Sequence, residues 1–193
     1  GQKRWGMKTG LLVTCLVDLM RPRIGFAAIR LLEAAGCEVV APETQTCCGQ
    51  PGYNSGDRKA AQALALKLVR DFAGCDYVVA PSGSCAGMVR THYSELFHEL
   101  PQHLPEVERL AARTYELTDF LVNVVQFNDV PGRFGGTITY HDSCSGLREL
   151  GVRGQPRSLL SRIPGLELTE MKEAQACCGF GGTFSIKFGD VSA

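Results

Sequence analysis

In 193 residues, 20 lysines and arginines balance 20 aspartates and glutamates, so the formal net charge is zero. Apolar residues at 45% and charged residues at 21% are ordinary globular composition; this excludes an intrinsically disordered chain and gives no electrostatic pull toward nucleic acid or acidic lipid. No apolar run reaches transmembrane length and no signal-peptide pattern opens the chain, so the expectation is a cytoplasmic protein with no nucleic-acid partner and no direct membrane insertion.

Residues 11–17 (LLVTCLV) form a short apolar, β-branched run and read as a buried strand. After Arg21-Pro22-Arg23, the residues Ile24, Ala27, Ala28, Leu31 and Leu32 recur at helical spacing until Gly36. Residues 37–41 (CEVVA) are a second strand, leading into a loop that carries Cys47-Cys48-Gly49. An Ala/Leu-rich helix over residues 57–72 and a third strand over 75–80 follow, and Pro81-Ser82-Gly83-Ser84 then delivers Cys85. Residues 101–135 read as a helical connector, with helical periodicity over 107–125. A second half restarts at 136–144 with a strand that ends in Cys144. It continues through a helix near 155–163 and a strand over 166–171 to Cys177-Cys178-Gly179.

The predicted fold class is therefore α/β: two tandem Rossmann-like β-α-β-α-β units with parallel sheets, the second incomplete. The expected division is a first domain at 8–100, the connector at 101–135 and a second domain at 136–193. By the first-half register, a third strand and its cysteine belong about twenty residues beyond Ala193. Self-association through the unfinished second sheet is the corresponding expectation. Met7 reads as a native start.

Nine cysteines are the unusual feature. Taken singly, a free cysteine is most simply a small buried hydrophobe. The positions argue otherwise for seven of them. Cys15 precedes Cys47 by 32 positions and Cys144 precedes Cys177 by 33, each pair continuing as Cys-Cys-Gly. Adjacent cysteines cannot both enter one apolar core from a strand, but both can reach one centre from a loop. Cys15, Cys47, Cys48 and Cys85 all fall at or past the C-terminal ends of predicted parallel strands, the edge where such sheets bind ligands. Cys37 and Cys75 fall at the opposite edge and keep the buried-thiol reading. Zinc fits adjacent cysteines poorly, and no Gly-x-Gly-x-x-Gly follows the first strand to suggest a dinucleotide. Gly49, Gly83, Gly87, Gly179, Gly181 and Gly182 either bring backbone close to sulfur or are plain turn residues. His141 is a neighbour of the second site or a structural histidine. His92, His98 and His103 read as solvent-facing.

The repeated pattern Cys-x31-Cys-Cys-Gly-x35-Cys resembles the cysteine-rich CCG-domain family. That family includes lactate-utilization and glycolate oxidase iron-sulfur subunits, and subunits of anaerobic glycerol-3-phosphate dehydrogenase and of heterodisulfide reductase. The likeness is greatest to the lactate-utilization branch and runs from Lys8 to Phe188. It is carried by Thr14-Cys15-Leu16-Val17-Asp18, Thr46-Cys47-Cys48-Gly49-Gln50-Pro51, Ala80-Pro81-Ser82-Gly83-Ser84-Cys85, Tyr140-His141-Asp142-Ser143-Cys144 and Cys177-Cys178-Gly179-Phe180-Gly181-Gly182-Thr183-Phe184. The resemblance implies an iron-sulfur cluster, of the 4Fe-4S type, bound by Cys15, Cys47, Cys48, Cys85, Cys144, Cys177 and Cys178. It implies electron transfer beside the other subunits of a lactate- or glycolate-oxidising complex. A catalytic thiol/disulfide subunit of the heterodisulfide reductase kind and a metal-stabilised structural module are the alternatives. Two departures stand out: Met88 takes the place of a closing cysteine, and the second half has three motif cysteines, so metal there is expected to be weak or absent. In air the cluster is expected to be lost.

Overall fold

Parallel pairing of short, β-branched strands organises the molecule. The computed structural model describes residues 6–179, apart from the side chain of Leu16. In chain order, strand β1 (Met7–Leu11) is followed by helices α1 (Cys15–Met20) and α2 (Pro22–Ala34), strand β2 (Cys37–Val40), helices α3 (Gln50–Asn54) and α4 (Arg58–Asp71), and strand β3 (Tyr77–Ala80). Next come α5 (Gly83–Gly87), a π-helical turn (Met88–His92), α6 (Tyr93–Leu96) and α7 (Leu104–Ala112). Strand β4 (Thr114–Glu116), α8 (Leu117–Asp119) and a second π-helical turn (Phe120–Val124) complete the first half. The second half contains β5 (Gly136–Ile138), α9 (Cys144–Leu150), α10 (Gly154–Leu160) and β6 (Leu166–Leu168).

Among the described residues every pairing is parallel, in a four-stranded sheet of order β2-β1-β3-β4 and a two-stranded sheet β5-β6. The chain is thus α/β, with helices crossing between parallel strands as the sequence pattern implies. Both faces of the larger sheet are covered, which is why its strands read as apolar runs rather than alternations. On one face Val78 and Ala80 of β3 pack with Ala61, Ala65 and Leu68 of α4 and with Tyr93, Leu96, Val107 and Leu110. On the other face Leu11 and Val79 pack with Ala28 and Leu32 of α2 and with Phe120 and Leu121. Full burial of each such leucine or valine contributes roughly 1.5–3 kcal/mol.

Three expectations change. The first strand lies at Met7–Leu11 rather than 11–17, because Thr14 caps a helix that begins at Cys15: its side-chain oxygen accepts from the Val17 N–H at 3.4 Å. The helix expected over 107–125 is interrupted by β4, whose residues pair with β3 in register Val78↔Thr114, Val79↔Tyr115 and Ala80↔Glu116. Buried Thr114 turns its hydroxyl to the Leu110 carbonyl at 2.7 Å, and Arg113 donates to the Phe72 and Cys75 carbonyls, so the strand is anchored at its first residue. A three-residue strand between helices leaves no periodicity of its own. In the second half, β5 and β6 are shorter than the strands expected over 136–144 and 166–171, and Cys144 opens a helix capped by Ser143.

The halves meet where α5 packs on α9. A Cβ on Gly83 would sit 2.8 Å from both the Cα and the backbone nitrogen of Gly146, so the two helices touch backbone to backbone. A Cβ on Gly87 would run into the Glu149 carboxylate. These two glycines therefore serve helix packing between the halves, a role that turn chemistry and sulfur contact do not cover.

Candidate metal centre

The first three crossings of the large sheet deliver cysteines to one edge. Cys15 is the first residue of α1, four positions past β1; Cys47 and Cys48 lie in the loop after β2; Cys85 lies in α5, after β3. Cys15 is exposed, Cys47 is half-buried, and Cys48 and Cys85 are buried. These four thiols form a connected chain: Cys15 hydrogen-bonds Cys47, Cys47 hydrogen-bonds Cys48, and Cys48 hydrogen-bonds Cys85. Sequence-distant residues thus converge because β1, β2 and β3 are parallel neighbours.

The turn that presents the tandem pair is built around Gly49. Its φ of +86° is a left-handed conformation, and an added Cβ would lie 3.2 Å from the Ala61 carbonyl oxygen. Glycine is the residue that meets both demands. In this turn the Gly49 N–H donates to the Cys47 sulfur. The hydrogen bond from Cys48, aided by Gly49 and Cys15, pulls the Cys47 thiol down to about 6 against the burial that opposes it. Cys85 is likewise held below the usual thiol range by Cys48, with help from Ser82 and Ser84. Cys48 between them is pushed up, since it serves as hydrogen-bond partner to both and is buried.

The second half repeats the device. Cys144 is the first residue of α9, as Cys15 is of α1, and a hydroxyl residue caps each helix. Gly179 has φ +79°, and its N–H donates to Cys177, which also hydrogen-bonds Cys144 and is held below the usual thiol range. Cys177 and Cys178 are both exposed. The end of this motif, Phe180–Phe184 with Gly181 and Gly182, lies outside the described residues. Ahead of the pair, the His141 Nε2–H donates to the Ala176 carbonyl at 2.9 Å, and buried Asp142 forms a two-point ion pair with Arg157 at 2.7 and 3.0 Å. His141 therefore holds the second tandem loop by its backbone.

Cys37 and Cys75 lie apart from this cluster, both buried, with their thiols pushed up chiefly by burial. His92 differs from its solvent-facing reading: it is half-buried, stacks near Tyr53 with ring centroids 5.2 Å apart, and faces Glu149 of α9 at 3.6 Å. Nothing in the sequence marks Tyr93, yet its buried hydroxyl donates to the Cys48 carbonyl at 2.8 Å. A lone tyrosine in a helical stretch reads as core, and only the fold brings it to the cysteine loop.

The donor set is sulfur throughout, with four thiols in the first group; that suits iron-sulfur ligation, which uses Cys thiolates in fours. Among the described residues no three His, Cys, Asp or Glu side chains close around a point as they would on a single metal ion; the thiols are joined pairwise instead. Among the described residues, too, no helix is long and apolar enough to cross a membrane.

A family model for the CCG cysteine-rich domain matches residues 9–90 and 138–193, the two halves in turn. The chain is 52% identical over 186 residues to lactate utilization protein A of Geobacillus kaustophilus (strain HTA426), covering 96% of this chain and 77% of that protein. It is 51% identical to lactate utilization protein A of Geobacillus thermodenitrificans (strain NG80-2), with the same coverage of 96% and 77%. Against lactate utilization protein A of Bacillus subtilis (strain 168) the identity is 47%, over 96% of this chain and 78% of the relative. With the duplicated cysteine device seen in both matched segments, the chain belongs to the cysteine-rich CCG-domain family.

Proposed function

We propose that this protein is an iron-sulfur electron-transfer subunit of a complex that oxidises L-lactate, or glycolate, to the 2-oxo acid. The convergence of Cys15, Cys47, Cys48 and Cys85 into one chain of thiols carries this reading. The names of its relatives supply the metabolic setting, and the other lactate utilization proteins are its natural partners. Oxidising a 2-hydroxy acid releases two electrons and two protons; a cluster held by Cys15, Cys47, Cys48 and Cys85 would supply one-electron transfer. The chain's own residues hold and tune the site. Gly49 supplies an N–H to sulfur, Cys48 and Cys85 are shielded from water, and Cys15 is presented at the surface. Cys144, Cys177 and Cys178 form a second candidate site with three thiols. The domain division 8–100, 101–135 and 136–193 and a cytoplasmic location go with this proposal.

Anaerobic reconstitution with iron and sulfide tests it. The expected result is a reducible cluster, seen by electron paramagnetic resonance, that Cys85→Ser abolishes and Cys37→Ser leaves intact. Retention of zinc with no reducible centre would overturn it. One observation favours a second reading, a thiol/disulfide catalyst: the Cys47 thiol, lowered to about 6, lies against a neighbouring cysteine. Metal-free protein that reduces a low-molecular-weight disulfide catalytically, with dithiothreitol as reductant, would establish that reading instead.

A further inference from the structure

The helical stretch that carries Cys85 does not continue as a regular α-helix. Between α5 and α6 it opens into a π-helical turn, Met88–His92, in which hydrogen bonds span five residues rather than four. Such turns accommodate an extra residue and cluster at functional positions. Here the geometric effect is specific. Cys85 and Tyr93 are eight residues apart, and at 3.6 residues per turn they would be offset by about 80° around the axis. The wider turn advances less per residue and swings Tyr93 back toward the face that carries Cys85. Both side chains lie in the same buried cluster, with Cys48 and Met88. From there the Tyr93 hydroxyl reaches the Cys48 carbonyl at 2.8 Å, and it lies within electrostatic reach of Cys48, Cys47 and Cys85.

Neighbouring contacts fix the backbone just beyond the tyrosine. Arg58 of α4 donates to the Glu95 and Leu96 carbonyls at 3.0 and 3.2 Å, and Gln62 donates to the Leu96 carbonyl at 2.9 Å. Tyr53, just past the tandem cysteines, donates to Glu95 at 2.9 Å. The short helix behind Tyr93 is thereby tied to both α4 and α3, and the hydroxyl has a fixed point from which to hold the cysteine loop. We propose that Tyr93 is a positioning residue, placed by the π-helical turn, whose hydroxyl fixes the Cys48 peptide and so sets how Cys47 and Cys48 are presented to the cluster. This rests on the iron-sulfur reading for its last step only.

Tyr93→Phe in the full chain removes one oxygen and keeps the ring. In metal-free protein, iodoacetamide labelling read peptide by peptide should show Cys48 alkylated about tenfold faster than in the wild type, because the freed carbonyl loosens its loop. Cys37, also buried but at the opposite sheet edge, should label at its wild-type rate. After reconstitution, the variant's cluster should show an altered paramagnetic signature and a shifted midpoint potential. Acceleration of Cys48 and Cys37 together would mean general loosening and would overturn the proposal, as would no change at Cys48 and in the cluster's signature. Should the variant fail to fold, 3,5-difluorotyrosine at position 93 retains the ring and a more acidic, stronger donor. It should slow Cys48 labelling, and an unchanged rate overturns the proposal. A wild-type protein that binds no cluster would sink the iron-sulfur reading, while the labelling rates still decide the role of Tyr93.

Discussion

Cys47 concentrates the chemistry of the site in one atom. Its thiol is lowered to about 6 by the hydrogen bond from Cys48 and by the Gly49 N–H, so in metal-free protein it is mostly thiolate at about pH 7, where an ordinary cysteine, near pKa 8.5, is not. Its alkylation rate should therefore rise through about pH 6 and flatten above, whereas in urea the inflection should move up toward about pH 8.5. Stopped alkylation at a series of pH values, read at the Cys47 peptide, checks this. Gly49 supports the same atom through backbone shape. Gly49→Ala must carry a side chain at φ +86° and bring it 3.2 Å from the Ala61 oxygen, at a cost of about 2 kcal/mol in urea unfolding. At this scale the sequence was legible where residue type and repetition coincide, as in the two Cys-Cys-Gly triplets. It was silent on Tyr93 and on the packing role of Gly83, and it misplaced His92 in solvent, because each acquires its partner from a segment far away in the chain.

Among the elements, the crossing of α5 and α9 has no slack. Gly83→Ala would place a methyl 2.8 Å from the backbone of Gly146, and backbone cannot rotate away as a side chain can. The expected loss is roughly 1–3 kcal/mol, measured by thermal or urea unfolding. In the second half, Asp142 is 1% exposed and is held by Arg157, which also binds Glu170 at 2.6 Å. Arg157→Met would strand a buried carboxylate and cost about 3 kcal/mol in the same unfolding measurement, and adding Asp142→Asn should recover much of it. Raising Arg157 above its usual range, chiefly through Glu170 and then Asp142, is the same pairing seen from the other partner. The order of strands and helices in the first half was readable because periodicity survives over ten or more residues in α2 and α4. Boundaries were less so: Thr14 diverts the chain into a helix at Cys15, and β4 is too short to leave a pattern.

Over the whole molecule, parallel pairing explains why four cysteines scattered across seventy-odd residues meet at one edge. That convergence was inferred from strand order and is seen in the hydrogen-bonded chain from Cys15 to Cys85. The fourth strand of the large sheet was not foreseen, yet it adds Glu116 to the same edge, where its carboxylate caps α8 and burial pushes its pKa up. The sheet order also has a consequence in time. β1 is a central strand, and its second neighbour, β3, pairs with it through Thr9↔Tyr77, Gly10↔Val78 and Leu11↔Val79. On a growing chain, Cys15, Cys47 and Cys48 are therefore made and wait as open thiols until β3 arrives. The segment that docks on the open side of β1 is the one that brings Cys85, with β4 joining β3 later. Assembly of the four-thiol chain is therefore tied to the docking of β3 on β1, and the unfinished chain passes through an interval in which three of its four sulfurs are open to oxidants.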